Sequence, residues 1–284
     1  MSVSAVQRVI EKIEGLLMAY RPMLNKNRNK KDIVALAARF ILPTLLFSSA
    51  LTMAGTASAV EFTKPKAVVE LFTSQGCSSC PPADAALKQM NDNGEILGLA
   101  LHVDYWDRLG WKDTFASPQN TERQRAYAIP LNVRAIYTPQ AIINGRTHVT
   151  GSKKVEILNT ANSYAKQGKG LVIDINLTAT TNAINVSIDQ SEIAKHATLY
   201  AYYFNPASEV AIKRGENAGK KITYSNIVGT VETIGMVGDA GFDTEFSIAD
   251  IRQKGYKGCA LILQAKTADG GPGPILGATV ISDL

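Results

Sequence analysis

Cys77 and Cys80 stand three positions apart in the run Thr73-Ser74-Gln75-Gly76-Cys77-Ser78-Ser79-Cys80-Pro81-Pro82. Two sulfurs at this spacing can exchange with a disulfide: a thiolate at Cys77 attacks, and Cys80, one turn on, resolves the mixed disulfide. The flanks supply the geometry. Residues 68–72 are an apolar run rich in β-formers, and Pro81-Pro82 followed by residues 83–90 is a run of good helix formers. Strand, loop, helix is the predicted order, with Cys77 just ahead of a helix N-terminus. Partial positive charge and unsatisfied N–H groups there favour an anion, and so a thiolate. A C-x-x-C at such a junction reads as a redox motif. Two duller roles fit the same spacing, an inert structural disulfide or half of a zinc site. A four-cysteine zinc site needs a second pair, and the chain offers only Cys259, at the head of an apolar strand where a buried free thiol is expected.

Other chemistry is thinly represented. His102 closes a predicted core strand and His148 lies in a predicted hairpin strand, both positions that suit structural histidines. They are the imidazoles available if Cys77 and Cys80 were to hold copper or zinc. No phosphate-binding glycine loop, nucleophile elbow or H-E-x-x-H helix is present, so no metal and no cofactor are expected.

The formal charge of +5 over 284 residues invites a nucleic-acid reading, but its location argues against one. Residues 1–59 hold eight Lys/Arg against three acidic residues, leaving 22 of each for residues 60–284. The basic excess belongs to a leader with the marks of an export signal. Arg28, Lys30 and Lys31 precede a mostly apolar segment over residues 33–53, and Ala57-Ser58-Ala59 supplies a small-residue cleavage site before Val60. The segment approaches the length of a membrane span, but Arg39 and Pro43 interrupt it. The expectation is a periplasmic or secreted protein with no stable membrane insertion after cleavage. Such a compartment suits a dithiol that cycles through a disulfide.

After the leader the pattern alternates. A first strand is predicted over residues 67–72, a helix from Pro81 to about Asn91, and a buried parallel strand over 96–103. Asp104-Tyr105-Trp106-Asp107-Arg108-Leu109-Gly110-Trp111-Lys112-Asp113 follows as a loop that holds both tryptophans of the chain. Trp106 and Trp111 either plug a core edge or form a lid that offers an apolar surface to a substrate beside the dithiol. Ser117 and Pro118 open a helix to about Ala128, with Glu122, Arg123 and Arg125 on an expected solvated face. Thr138-Pro139 then leads into residues 140–144, an Asn144-Gly145 hairpin turn and a strand to Thr150, after which Ser152 caps a helix to about Gln167.

This β-α-β-α-β-β-α order resembles the thioredoxin fold, in which a C-x-x-C follows the first core strand and a cis-proline precedes the third. The resemblance implies that Thr138-Pro139 is that cis pair, lying against the dithiol and shaping a substrate groove with Thr138. Ser78-Ser79 replaces the usual Gly-Pro and Gln75-Gly76 the usual tryptophan, so the direction of electron flow does not carry over. A finer resemblance is to exported bacterial proteins catalogued as domain of unknown function 1223. It rests on residues 70–81, Asp104-Tyr105-Trp106-Asp107, Gly110-Trp111-Lys112-Asp113, Arg123-Gln124-Arg125, Tyr137-Thr138-Pro139-Gln140 and Arg214-Gly215-Glu216-Asn217-Ala218-Gly219.

From Leu171 the period changes to two. Residues 171–178 and 184–189 alternate as a hairpin, and strands are expected over 197–204, 209–213, 221–234, 241–247, 258–265 and 275–281. The expectation is an α/β (α+β) protein. A leader (1–59) precedes a thioredoxin-like domain (60–169), and a β-rich, sandwich-like domain (170–284) packs on it or completes a single body. Residues 214–221 read as a long hairpin connection; the family resemblance adds the alternative of a loop that folds over the dithiol or binds an acidic group. The leading functional expectation is thiol–disulfide exchange by Cys77 and Cys80, with Pro139 in the groove, on a protein or small-molecule substrate. A binding module with a permanent disulfide and periplasmic copper or zinc handling are its competitors.

Overall fold

The computed structural model describes residues 60–282. The leader, with its predicted signal and cleavage site, lies outside the described residues. The first half runs β1 (Glu61–Thr63), β2 (Ala67–Thr73), α1 (Pro81–Asp92), β3 (Ile96–His102), α2 (Pro118–Ala128), β4 (Gln140–Ile143), β5 (Thr147–Thr150) and α3 (Lys154–Lys166). The second runs β6 (Asn176–Ala179), β7 (Ala183–Ile188), β8 (Thr198–Ala211), β9 (Lys221–Met236), β10 (Phe242–Ser247), α4 (Ile248–Gln253), β11 (Gly258–Lys266) and β12 (Pro272–Ser282). Strands dominate, and the architecture is mixed α+β.

β2 and β3 pair in parallel, β4 pairs antiparallel to β2, and β5 antiparallel to β4. Every residue of β2 and β3 is buried, as their near-continuous apolar runs require of strands covered on both faces. The alternation of side chains divides β2 between two cores. Val68 and Phe72 join Tyr127 of α2 and Tyr202 of β8, while Val69 and Leu71 meet Ala83, Leu87 and Met90 of α1 and Ile157 of α3. Burying Leu87 alone contributes roughly 1.5–3 kcal/mol.

The sheet does not stop at β3. β9 pairs with it in parallel at Ala100 and Ile227, giving one nine-stranded sheet in the order β1-β12-β11-β8-β9-β3-β2-β4-β5. Four long strands of the second half thus extend the sheet of the first edge to edge. The remaining three form the sheet β10-β7-β6, whose Ile184, Val186 and Ile188 share a core with Leu199, Tyr203, Leu261 and Leu263. Facing layers do exist in this half, but one of them is continuous with the first half.

Several boundaries differ from the sequence reading for local reasons. Residues 198–211 form one strand where two were expected, because Pro206 lies beyond Phe204, the last residue of β8 paired to β11. On that side no neighbouring strand loses a ladder bond to the proline. β6 begins only at Asn176, although Ile173 and Ile175 still pack into the core. Lys153, not Ser152, occupies the cap position of α3, and it makes no side-chain cap. β1 and α4 went unanticipated; α4 is a six-residue turn capped by Ser247, whose side chain accepts from the Asp250 N–H.

Past Phe204 the β8–β9 hairpin has outrun β11 and continues as a two-stranded arm, Ala207 to Ala211 against Lys221 to Ser225. α1 touches β9 along this arm. Asn91 of α1 donates to Ser225 Oγ at 2.9 Å, and Asn226 donates to the Gly98 carbonyl at 3.0 Å. The connection at the arm's tip, residues 212–220, is thereby delivered to the C-terminal end of β2.

Candidate functional site

β2 ends at Thr73, and the chain then turns tightly: Cys77 N–H donates to Ser74 O at 3.2 Å, and Cys80 N–H to Cys77 O at 3.2 Å. Cys80 is the cap residue of α1, its carbonyl accepting from Ala83 at 2.8 Å and Asp84 at 3.1 Å. Cys77 and Cys80 are joined as a disulfide with Cα atoms 5.4 Å apart. Pro81 and Pro82 fill the first helical positions, so two of the N–H groups that would otherwise attract an anion are missing. Both cysteines are completely buried, although Ser78 and Ser79 between them are exposed. The Ser79 hydroxyl lies 3.4 Å from Cys77 Sγ.

The tryptophan loop folds against this turn. Trp111 Nε1 donates to Gln75 Oε1 at 2.8 Å, an oxygen that also accepts from the Thr114 N–H at 3.2 Å. Gln75 Nε2 in turn donates to Thr114 Oγ1 at 2.9 Å. Trp106 Nε1 donates to Thr138 Oγ1 at 2.8 Å, and Thr138–Pro139 is a cis peptide. Gly76 lets the loop pack closely, because a Cβ on it would stand 3.1 Å from Trp106 Cβ. Cys77, Cys80, Trp106, Trp111, Thr138 and Pro139 therefore gather around one turn, with buried Gln75 as the hub that ties the loop to it.

The cover is completed from the second half. Asn217, fully buried, donates through Nδ2 to Gln75 O at 3.0 Å and to Cys77 O at 2.8 Å, while Lys220 Nζ donates to its Oδ1 at 2.8 Å. Glu216 Oε2 accepts from the Ser78 N–H at 3.3 Å. Gly215, at a φ of +74°, lies against Trp111, whose Cβ would be 3.2 Å from an added Cβ. Residues 214–219 are part of the β8–β9 hairpin connection and also lie against the turn that carries the disulfide. The family resemblance pointed to this placement; the polar, glycine-bearing composition by itself reads only as a hairpin connection.

Beneath the turn, on the α1 face, lies a buried polar group. Asp84 Oδ1 accepts from Thr73 Oγ1 at 2.7 Å, and Oδ2 has no protein partner. Burial pushes the Asp84 carboxyl up to about 7, against the opposing effects of His102 and the Thr73 bond. His102 Nδ1 donates to Asp113 Oδ2 at 2.8 Å, and the same oxygen accepts from the Gln75 N–H at 2.7 Å. Burial would raise the Asp113 carboxyl, but His102 and the Gln75 and Phe115 N–H groups outweigh it and hold it low. Tyr224 of β9 packs its ring 4.8 Å from that of His102; its hydroxyl and His102 Nε2 also lack protein partners. His148 shares its hydrogen bond with Tyr137 at 2.9 Å. Among the described residues no three His, Cys, Asp or Glu side chains gather as metal ligands.

The opposite face of β2 carries a second buried cluster, and Arg123, expected on a solvated face, belongs to it. Glu122 and Arg125 pair in solvent as expected, but Arg123 turns inward. Its Nε donates to buried Glu70 Oε1 at 2.6 Å and its Nη2 to Tyr127 Oη at 3.1 Å and Gln264 Oε1 at 2.9 Å. Tyr127 and Tyr202 donate to Glu70 at 2.5 and 3.1 Å, and their rings flank the guanidinium at 5.1 and 5.3 Å. Burial works against the Arg123 charge, but Glu70 and the two phenols outweigh it and push its pKa well up.

Comparison with known proteins adds a family and a structural relative. A family model described as "Protein of unknown function (DUF1223)" matches residues 68–264. The crystal structure of a structural-genomics target from Agrobacterium tumefaciens is 36% identical in sequence and superimposes with a TM-score of 0.70. The match covers 78% of this chain and 96% of that one. None of the curated proteins matches the chain.

Proposed function

This chain belongs to the DUF1223 family, and from that premise we propose that it is a thioredoxin-like thiol–disulfide oxidoreductase working in an exported, disulfide-permissive compartment. The observation that carries the reading is the Cys77–Cys80 disulfide at the β2–α1 junction, gathered with cis Thr138–Pro139 and the two tryptophans. The order β3-β2-β4-β5, with β2 and β3 parallel and a helix following each of β2, β3 and β5, supports the thioredoxin-like description. The basic, apolar, A-x-A leader supports export. No helix of the described residues is long and apolar enough to cross a membrane.

In the reduced protein the Cys77 thiolate attacks one sulfur of a substrate disulfide and the other substrate sulfur leaves as a thiolate. Cys80, deprotonated, then attacks Cys77 Sγ, releasing the second substrate thiolate and closing the Cys77–Cys80 bond. Two electrons pass from the dithiol to the substrate; the reverse sequence oxidises a substrate dithiol. Pro139 shapes the groove beside the sulfurs and the Trp106/Trp111 loop walls it. A titration in glutathione buffers, read by alkylation and mass, tests the reading: a potential between roughly −120 and −270 mV is expected of an exchange enzyme. Cys80→Ser is expected to trap mixed disulfides through Cys77, and recovery of none would count against exchange on proteins.

A second reading has one observation in its favour. The complete burial of both sulfurs suits a permanent staple in a binding module. A potential below about −300 mV would select it.

A further inference from the structure

Residues 214–219 reach the disulfide turn from far down the chain, Asn217 lying 140 positions from Cys77. We infer that this loop is a gate on the disulfide, with Asn217 as its latch: a positioning residue that sets how fast any thiol reaches Cys77 or Cys80. The inference deepens the proposed redox reading and rests on it for its biological meaning.

A thiolate attacks a disulfide by reaching one of its sulfurs, so the rate depends on access as well as on nucleophilicity. Neither sulfur is exposed. The groups over the turn are of two kinds. Trp106 and Trp111 are tied through Thr138 and Gln75 to the β2 end and the cis-proline turn of the first half. Asn217 sits instead at the tip of the β8–β9 arm, beyond the last pairing of β8 with β11. Its amide binds two carbonyls of the dithiol turn, Gln75 O and Cys77 O, and Glu216 holds the N–H of Ser78 between the cysteines. Displacing this one loop releases its bonds to Gln75 O, Cys77 O and the Ser78 N–H together, leaving Cys77 O its bond from Cys80, without breaking a strand pairing of the first half. The closed and open arrangements then form a two-state equilibrium, and the observed rate of attack is the intrinsic rate times the open fraction.

Asn217→Ala leaves Gln75 O without its donor and Cys77 O with the Cys80 N–H alone in the closed state, and therefore penalises it. With purified oxidised protein and dithiothreitol as the probe, the rate of Cys77–Cys80 cleavage is expected to rise tenfold or more. In that reaction one dithiothreitol closes to its cyclic disulfide and its two electrons and two protons go to the two cysteines. Ile184→Ala, in the separate core beneath β7, controls for general destabilisation and is expected to leave the rate unchanged. Glu216→Ala with Lys220→Met, both at exposed positions, gives a second gate variant that does not depend on Asn217→Ala folding; a rise of about twofold is expected from loss of weak contacts. An unchanged rate in both gate variants, or an equal acceleration by Ile184→Ala, would overturn the gate. The potential, measured on the same samples, separates the two ideas. Faster reduction with a potential below about −300 mV would keep the gate and remove the exchange reading. Unaltered reduction with a potential in the exchange range would do the reverse.

Discussion

The two faces of β2 carry buried polar clusters of opposite character. On the α2 face, Glu70, Arg123, Tyr127, Tyr202 and Gln264 satisfy one another, and Gln264 Nε2 also donates to Tyr127 Oη at 2.7 Å and Gly273 O at 2.8 Å. On the α1 face, Asp84, His102 and Tyr224 each leave one buried polar atom without a protein partner. Both clusters join the halves of the chain, since Tyr202 and Gln264 belong to one and Tyr224 to the other. They differ in what they lie under. The satisfied cluster is packed between strands and α2, where a complete network rigidifies the seam. The unsatisfied one begins at Thr73 and Asp84, directly below the dithiol turn, where buried polar groups without partners cost stability and shift titration. The seam is built to hold, and beneath the disulfide turn lies one buried carboxyl, Asp84, that burial pushes up to about 7.

The largest expected effect comes from breaking the satisfied cluster. Glu70→Ala strands a buried guanidinium and removes the acceptor of two phenols, so it should cost about 3–5 kcal/mol. Urea unfolding with an unchanged slope is the measurement, and a loss under about 1 kcal/mol would contradict the picture of a locked seam. Adding Arg123→Met should recover part of the loss, because the uncompensated charge goes with it.

Much of the first half was legible in the sequence because its signals are local. The apolar run of β2, the prolines after Cys80, the Ser117 cap and the Asn144-Gly145 turn each act within a few residues, and the structure has strand, helix, cap and hairpin at those places. What was not legible depends on pairing across the chain. α2 reads Pro118-Gln119-Asn120-Thr121-Glu122-Arg123-Gln124-Arg125-Ala126-Tyr127-Ala128, polar on every side, so nothing in its periodicity singles out Arg123 as the inward charge. Asp84 in the first turn of α1 looks like an ordinary dipole partner; it is buried, and α1 packs against β9, which arrives from far down the chain. Asn217 has no local signature as a partner of Cys77. The sequence left a packed second domain and a single body both open for the same reason, since period two shows that a strand is half-buried and not which strand lies beside it.

The next effect is smaller and depends on pH. Asp84 has a folded value of about 7 against an ordinary 3.8, so its contribution to stability is fully present below about pH 4. As pH rises toward 7 the unfolded chain ionises this carboxyl while the folded protein keeps it protonated, and that stability is lost, up to roughly 4 kcal/mol. Asp84→Asn lacks this slope and is expected to be the more stable protein at pH 8 by a few kcal/mol at most, with the advantage vanishing toward pH 4. Asp113 acts in the other direction, stabilising above its ordinary value and losing that contribution only as pH falls below about 4. Urea midpoints of oxidised protein at pH 5, 6, 7 and 8 separate the two windows. Parallel profiles for wild type and Asp84→Asn would mean that the carboxyl is not held protonated.

The smallest effect gives the sharpest contrast, because the same substitution can be made in each cluster. Tyr202→Phe removes the 3.1 Å donation to Glu70 and leaves a buried carboxylate with one partner fewer, which should cost about 1.5–3 kcal/mol. Tyr224→Phe removes a hydroxyl with no protein partner and retains the ring against His102 and Phe115, at 4.8 and 5.9 Å. Deleting a buried unpaired polar group while keeping its shape is near neutral or mildly stabilising, within about 1 kcal/mol. The two variants bury the same ring and differ only in what the oxygen touches, so area burial cancels between them. Equal costs would place a strong partner on the Tyr224 hydroxyl and make the two faces of β2 alike. A clear gap, with Tyr202→Phe the more damaging, would leave the polar slack of this molecule where its disulfide is.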